Sequence, residues 1–178
     1  MLLDEFNRAD AASAASVVRV WAAVPDWVDA VVAARPYAST DALTAHAAAL
    51  ADAWSVADLD AALARHPRIG QRPVGAGAEA AASRREQASM TDAGAGVTAR
   101  IAAGNTAYEE RFGRVFLIRA AGRTPEQILA ELRRRLGNDD DAEVAEALGQ
   151  LAEIAILRLR ASVTADFPAG AAGGRIGS

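Results

Sequence analysis

Residues 55–70, SVADLDAALARHPRIG, hold one of only two histidines in the chain and place it where a helix is expected to end. Ser55 followed three residues later by Asp58 predicts a capped helix start, and the next residues have helical composition. Pro67 cannot continue the helix, and a residue before proline is disfavoured in the α conformation. We therefore expect a helix that stops at His66, with the imidazole in its last turn beside a loop.

Two interpretations of His66 follow from this position. An imidazole has an ordinary pKa of about 6.5, so it exchanges a proton at neutral pH, and a positioned one contributes roughly 10²–10⁴-fold to a proton-transfer step. Alternatively, His66 only caps the helix, because a cationic ring at the C-terminus interacts favourably with the helix dipole. The stretch by itself leaves both interpretations open.

Composition limits the class of protein. A chain of 178 residues, 52% hydrophobic and 24% charged, is expected to form one domain with a single core. It has no apolar run of the ~18 residues that cross a bilayer, and its first residues lack the basic region of a secretory signal. We expect a cytoplasmic protein without membrane contact. The net charge of -4 argues against a nucleic-acid partner.

Two residue types are missing from the sequence. The chain has no cysteine, which excludes disulfides, thiolate metal sites and a cysteine nucleophile, and all 19 basic residues are arginine. Without lysine, Schiff-base chemistry, pyridoxal phosphate attachment and a phosphate-loop lysine are excluded. Two distant histidines also disfavour a metal site. An enzyme with this composition is expected to use His, carboxylates and Arg, without a cofactor or metal.

Alanine-rich helical segments follow one another along the whole chain, so the predicted fold class is all-α, a single-domain multi-helix bundle over residues 1–167. Residues 168–178, rich in glycine and alanine, are expected to be a disordered tail. Predicted helices cover residues 4–34 with a break at Pro25, 41–54, 56–65, 97–112, 125–136 and 142–164. A loop is expected over 70–77, and an extended buried segment over 115–118.

Ser83 and Glu86 have the spacing of a capping box, which would place both at the start of a helix. That interpretation explains both residues fully. A functional role for Glu86 requires instead that its carboxylate faces the same cavity as His66, and this spacing does not decide the question.

Arg158 is expected on the buried face of the last helix. At ~100° per residue, it lies within the apolar stripe formed by residues such as Leu151 and Ile154, whereas Arg160 points almost the opposite way. An unpaired buried charge costs several kcal/mol. Arg158 should therefore bind an anion, pair with an internal carboxylate, or reach solvent at the edge of the stripe; its central position disfavours the last.

The order and spacing of several motifs resemble one enzyme family, the 2-oxo-4-hydroxy-4-carboxy-5-ureidoimidazoline (OHCU) decarboxylases of urate breakdown. No single motif is specific, but the resemblance extends over nearly the whole chain apart from the tail. The motifs are His66-Pro67, Ser83-x-x-Glu86-Gln87, Asn105-x-x-Tyr108-x-x-Arg111-Phe112-Gly113, Ile128-Leu129, Arg135-Leu136, Glu143, Ala147-Leu148 and Arg158-Leu159.

This resemblance implies an all-helical fold, usually a homodimer, that converts a small-molecule ureidoimidazoline carboxylate to (S)-allantoin without a cofactor. The family's catalytic His, Glu and substrate Arg correspond to His66, Glu86 and Arg158. Substrate contacts are implied for Pro67, Ser83, Arg84, Arg85, Gln87, Phe116, Leu117, Ile118, Arg119 and Ala120.

The missing residue types are consistent with this chemistry. Loss of CO₂ leaves an electron pair that the substrate's own ring accepts, so no lysine is needed. The remaining tasks are stabilisation of a developing oxyanion and proton delivery to one face of a carbon. We expect His66 to deliver the proton, Glu86 to orient the hydroxyl or ureido group and hold His66 protonated, and Arg158 to bind the anionic substrate or enolate.

Two other functions are compatible with the residues. One is a non-catalytic helical dimerisation or interaction module, in which His66 and Glu86 are helix caps. The other is a different cofactor-free enzyme that acts on a ureido compound with the same three residues.

Overall fold

A computed structural model describes residues 1–64, 68–70, 77–88, 90 and 93–165. Within these residues the chain forms nine helices and no strand, and one isolated bridge joins Leu2 to Thr164. None of these helices is long and apolar enough to span a membrane. The predicted tail lies outside the described residues. The helices are α1 Leu3–Arg8, α2 Ala11–Trp21, α3 Pro25–Ala33, α4 Thr40–Ala51, α5 Val56–Leu63, α6 Ala78–Glu86, α7 Ala95–Phe112, α8 Pro125–Arg135 and α9 Asp140–Ser162.

Local capping chemistry sets many of the helix starts. Ser55 accepts the backbone N–H of Asp58 and its own N–H donates to the Asp58 carboxylate, which is the predicted capping box of α5. Thr124 caps α8 in the same way, with Pro125 in the first turn. Pro25 begins α3, as the predicted break requires. Asp10 adds a break that we did not predict, because its side chain caps α2.

The long helix α9 lies at the centre of the fold and contacts α2, α4 and α5. Its apolar face packs into a core supplied by the first five helices, in which Trp21, Phe6 and Leu159 are fully buried. Indole Nε1 of Trp27 donates to the Ala47 carbonyl at 2.9 Å, whereas the buried Nε1 of Trp54, whose ring packs against Trp27, has no partner among the described residues.

A second core lies where α7 packs on α8. Its buried residues include Ile101, Tyr108, Ile128 and Leu132. The two helices approach closely at Gly104, where a Cβ atom would lie 2.5 Å from Leu132 Cδ2. Only glycine allows this approach without displacing the leucine.

Residues 116–120, here called the strap, connect these two cores. Leu117 packs in the first core, whereas Phe116, Ile118 and Ala120 pack in the second. This alternation is typical of an extended chain, whose successive side chains point to opposite sides. The prediction of an extended, buried segment after α7 is therefore confirmed, although it forms no strand pairing among the described residues.

The capping-box interpretation of Ser83 and Glu86 is wrong. Helix α6 begins at Ala78 after Gly77, so both residues lie in its last turns and neither is near the free N–H groups of the helix start. The physical reason is the alanine-rich run before Ser83, which has high helix propensity and extends the helix upstream.

Candidate active site

Glu86 and Arg158 form an ion pair that joins the end of α6 to the C-terminal part of α9. Arg158 Nε donates to Glu86 Oε1 at 2.6 Å, and Nη2 donates to Oε2 at 2.8 Å. The two side chains are only 15% and 5% exposed, respectively. A bidentate pair of this kind fixes the plane of the carboxylate as well as its position.

Other groups complete the surroundings of Arg158. Nη1 donates to the Val20 carbonyl at 3.0 Å, near the end of α2, where carbonyl groups lack helical partners. Nη2 also donates to the Ser83 hydroxyl at 3.3 Å. A guanidinium has five N–H groups, and these contacts leave one, on Nη1, without a partner among the described residues.

The predicted helix phase agrees with this geometry. Arg158 is buried on the apolar stripe and Arg160 is exposed. Of the partners weighed from the sequence, the internal carboxylate is the one present, and that carboxylate belongs to Glu86.

A small cavity of about 20 Å³ lies beside Glu86, between the last turn of α6 and the strap. It brings together many residues that the sequence predicted to contact substrate. Its walls are Ile69, Ser83, Glu86, Gln87, Phe116, Leu117, Ile118, Ala120 and Ile154.

A larger cavity of about 630 Å³ lies between α2, α6 and α9. Most of its lining is apolar or small, including Val20 and Leu157, while Arg85, Glu86 and Arg158 provide charge. Glu86 therefore borders both cavities, whereas Arg158 lines only the larger one.

Three predicted contact residues have side chains at the surface. Arg84 and Arg85 are exposed on α6, and Arg85 lines the larger cavity. Arg119 turns away from the small cavity: its Nε donates to Glu153 at 2.7 Å, and Nη1 donates to the Ala121 carbonyl at 2.9 Å. The structure thus places the backbone of Arg119 in the strap and its guanidinium on α9.

His66 and Pro67 lie outside the described residues, but the segment that follows them is well held. Asn105 Nδ2 donates to the Ile69 carbonyl at 3.0 Å, and Gly70 N donates to Gln87 Oε1 at 3.0 Å. Arg68 pairs with Glu109 through two contacts of 2.5 Å. Gly70 has φ +82°, a conformation that favours glycine. Residues 68–70 are therefore tied to α6 and α7.

Some of these contacts were missed from the sequence. Asn105 is the polar residue on a helix face that it shares with Ile101, Tyr108 and Phe112, and a polar residue on an apolar face is a signal that predicts a buried hydrogen bond. No feature of the sequence indicates that the Val20 carbonyl accepts a hydrogen bond from Arg158. In the parts of the chain that the structure describes, no group of three or more His, Cys, Asp or Glu residues could hold a metal ion.

Comparison with known proteins agrees with the predicted fold and family. The family model for OHCU decarboxylase matches residues 7–160. The chain is 37% identical to the OHCU decarboxylase of Amia calva, over 74% of this chain and 76% of that protein. It is 33% identical to that of Mus musculus, over 73% and 74%.

A solved structure of an OHCU decarboxylase, determined in the presence of (S)-allantoin, has a similar fold. The TM-score is 0.68 at 23% identity, and the match covers 79% of this chain and 92% of that one. The all-α, single-domain fold is thereby confirmed. The chain belongs to the OHCU decarboxylase family.

Proposed function

We propose that this protein decarboxylates OHCU to (S)-allantoin in urate degradation, without a cofactor or metal. Family membership supports the reaction. The observation that ties it to this chain is the bidentate pair of Glu86 and Arg158, which lies between two cavities and next to the strap. A buried carboxylate that an arginine holds in one orientation is suited to align a polar substrate.

The reaction requires little from the protein beyond orientation and proton control. The carbon–carboxylate bond breaks, and its electron pair forms a double bond to the neighbouring ring carbon, whose carbon–nitrogen π pair moves onto the nitrogen, which takes up a proton. This gives CO₂ and an enol at the carbon that carries the hydroxyl. A proton must then reach one face of the neighbouring carbon while the hydroxyl loses its own proton and becomes the ring carbonyl, and this protonation creates the stereocentre of (S)-allantoin.

Glu86 would orient the substrate in this scheme. Both of its oxygens accept from Arg158, and each retains a second lone pair for a substrate hydroxyl or ureido N–H. Arg158 would act mainly by holding Glu86, while its remaining Nη1 N–H and its positive charge would favour an anionic substrate nearby.

His66 would deliver the proton. Residues 68–70, which follow His66-Pro67 in the sequence, are held by Asn105, Gln87 and Glu109, and Gln87 is the neighbour of Glu86. The ordinary pKa of an imidazole lies near neutral pH, which suits a histidine to proton delivery. In this proposal Pro67, Ser83, Gln87 and the strap form the remaining walls of the substrate site.

The test is turnover with a stereochemical readout. Purified protein added to freshly generated OHCU should accelerate CO₂ release and produce optically active allantoin, followed by circular dichroism. His66→Asn should abolish this activity and leave the far-ultraviolet helix signal unchanged. Decay at the uncatalysed rate with the parent protein would contradict the function, and near-parental activity of His66→Asn would contradict the general-acid role. Chelators should not change the rate.

We also propose that the protein acts as a homodimer, the state implied by its family resemblance. Leu157, 36% exposed at the wall of the larger cavity, is one of three large hydrophobic side chains exposed in the described residues. Light scattering at micromolar concentration should give twice the chain mass of 18.4 kDa. The mass of a single chain would contradict the dimer.

A further inference from the structure

The strap is held along one edge by side chains from α8 and α9. Arg135 Nη1 donates to the Leu117 carbonyl at 2.7 Å. Two residues further on, the backbone N–H of Arg119 donates to Gln150 Oε1 at 2.9 Å. Residues 117 and 119 therefore direct backbone groups toward these two helices.

The opposite edge of the strap has a different environment. In an extended chain the N–H and C=O groups of successive residues point to opposite sides, so those of residues i and i+2 point to the same side. If residues 117 and 119 face α8 and α9, the backbone groups of Ile118 face the other way. Ile118 is a wall of the small cavity beside Glu86. Among the described residues, none hydrogen-bonds to the N–H or C=O of Ile118.

Arg135 and Gln150, the two side chains that hold the strap, differ in the other contacts that they make. Arg135 is 1% exposed and pairs with Glu143, which is 0% exposed and also accepts from Tyr108. This cluster holds the second core together, so a change at Arg135 would affect folding. Gln150 is half-buried on α9, and the one hydrogen bond that its side chain makes with a described residue is the bond to the strap.

We propose that Gln150 is a positioning residue for the decarboxylase reaction. Its amide oxygen fixes the Arg119 N–H and, with Arg135, sets the rotation of the strap, so that the Ile118 backbone presents a donor and an acceptor toward the substrate. This role rests on the proposed function. Gln150 itself does not border the cavity, so it acts through the strap and not by touching substrate.

Three variants separate this role from a general effect on stability. Gln150→Leu keeps the volume and removes the acceptor, and Gln150→Glu keeps an acceptor. Glu153→Gln is the matched control, because Glu153 lies one turn away on α9 and contacts the Arg119 side chain but not its backbone N–H. Steady-state turnover, urea unfolding and amide hydrogen exchange of Arg119 are measured for each.

Gln150→Leu should raise KM for OHCU by about tenfold, the effect of losing one hydrogen bond, with a smaller change in kcat. Arg119 amide exchange should accelerate, and the urea midpoint should fall only slightly, as expected for the loss of one part-buried hydrogen bond. Gln150→Glu should restore KM to within about twofold, and Glu153→Gln should resemble the parent. A normal KM in Gln150→Leu with fast Arg119 exchange would overturn the proposal, as would equal KM increases in all three variants.

Failure of the proposed function gives a separate result. If the parent protein does not decarboxylate OHCU, the reaction assignment is wrong. Arg119 exchange then still decides whether Gln150 holds the strap, since that measurement needs no substrate; unchanged exchange in Gln150→Leu would overturn the positioning role by itself.

Discussion

Glu86 and Arg158 are joined by two parallel hydrogen bonds of 2.6 and 2.8 Å, although 72 residues separate them in the chain. The pair connects the C-terminal end of α6 to the central helix α9. Arg158 thus holds the Glu86 carboxylate in one orientation; in the proposed reaction its contact with substrate would fall to the remaining N–H of Nη1. This arrangement leads to the first two predictions.

Arg158→Lys should severely reduce kcat/KM, by about 100-fold or more. Lysine keeps the charge but cannot make two parallel bonds to Glu86 while also reaching Val20 and Ser83. Arg160→Lys is the matched control: Arg160 is exposed on the same helix, so its kcat/KM should stay within about twofold of the parent. Equal small effects, or a more sensitive Arg160, would show that the Glu86 contact is not needed.

Glu86→Gln should lower activity more than stability. The amide removes the charge opposite Arg158, and loss of one partner of a buried pair costs about 3–5 kcal/mol; we expect roughly 1–3 kcal/mol here, because Glu86 is partly accessible. Urea unfolding measures this loss of stability. Turnover of the variant and of the parent is measured without urea and divided by the concentration of folded protein. Exposed Glu110 supplies the control, Glu110→Gln. Activity that falls only as far as the folded fraction falls would argue against a direct role for Glu86.

Asn105→Ala should leave the buried Ile69 carbonyl without its donor and cost about 1–3 kcal/mol in unfolding free energy. It should also reduce kcat, because residues 68–70 directly follow His66 and would lose one of their ties. Thr106→Ala is the comparison, since the Thr106 hydroxyl bonds only to its own helix at Ala102. A normal kcat in folded Asn105→Ala would show that this tie does not affect the proton donor.

Both tyrosines should resist ionisation in alkaline solution. Burial raises the pKa of Tyr37 to about 12. Burial, followed by the hydrogen bond to Glu143, raises the pKa of Tyr108 still further. With no lysine or cysteine in the chain, few other groups titrate in this range. Absorbance of tyrosinate should be absent from the folded protein near pH 10.

Stability should fall as the pH rises above that point. Each folded pKa lies above the unfolded value of 10.0, so the folded state holds its protons more tightly. Each tyrosine makes its full contribution to the unfolding free energy below about pH 10. Above pH 10 that contribution decreases by up to ~1.4 kcal/mol per pH unit for each tyrosine. Urea unfolding at several pH values measures the slope, and Tyr108→Phe should reduce it by about half. Stability independent of pH in this range would contradict the burial argument.

The sequence by itself determined the features that depend on neighbours in the chain. The cap of α5 at Ser55, the start of α8 at Thr124 and Pro125, and the buried phase of Arg158 all follow from contacts or angles within a few residues. The missing lysine and cysteine narrowed the possible chemistry, and motif order indicated the family.

Tertiary structure decided which groups meet. The Ser83 and Glu86 spacing suggested a helix start, but an upstream alanine run moved that start to Ala78 and left Glu86 at the other end, facing Arg158. The contact between Gln150 and the strap likewise has no local signal. A cap is determined by a hydrogen bond across three residues, whereas these contacts depend on how α6, the strap and α9 pack, which many distant side chains decide together.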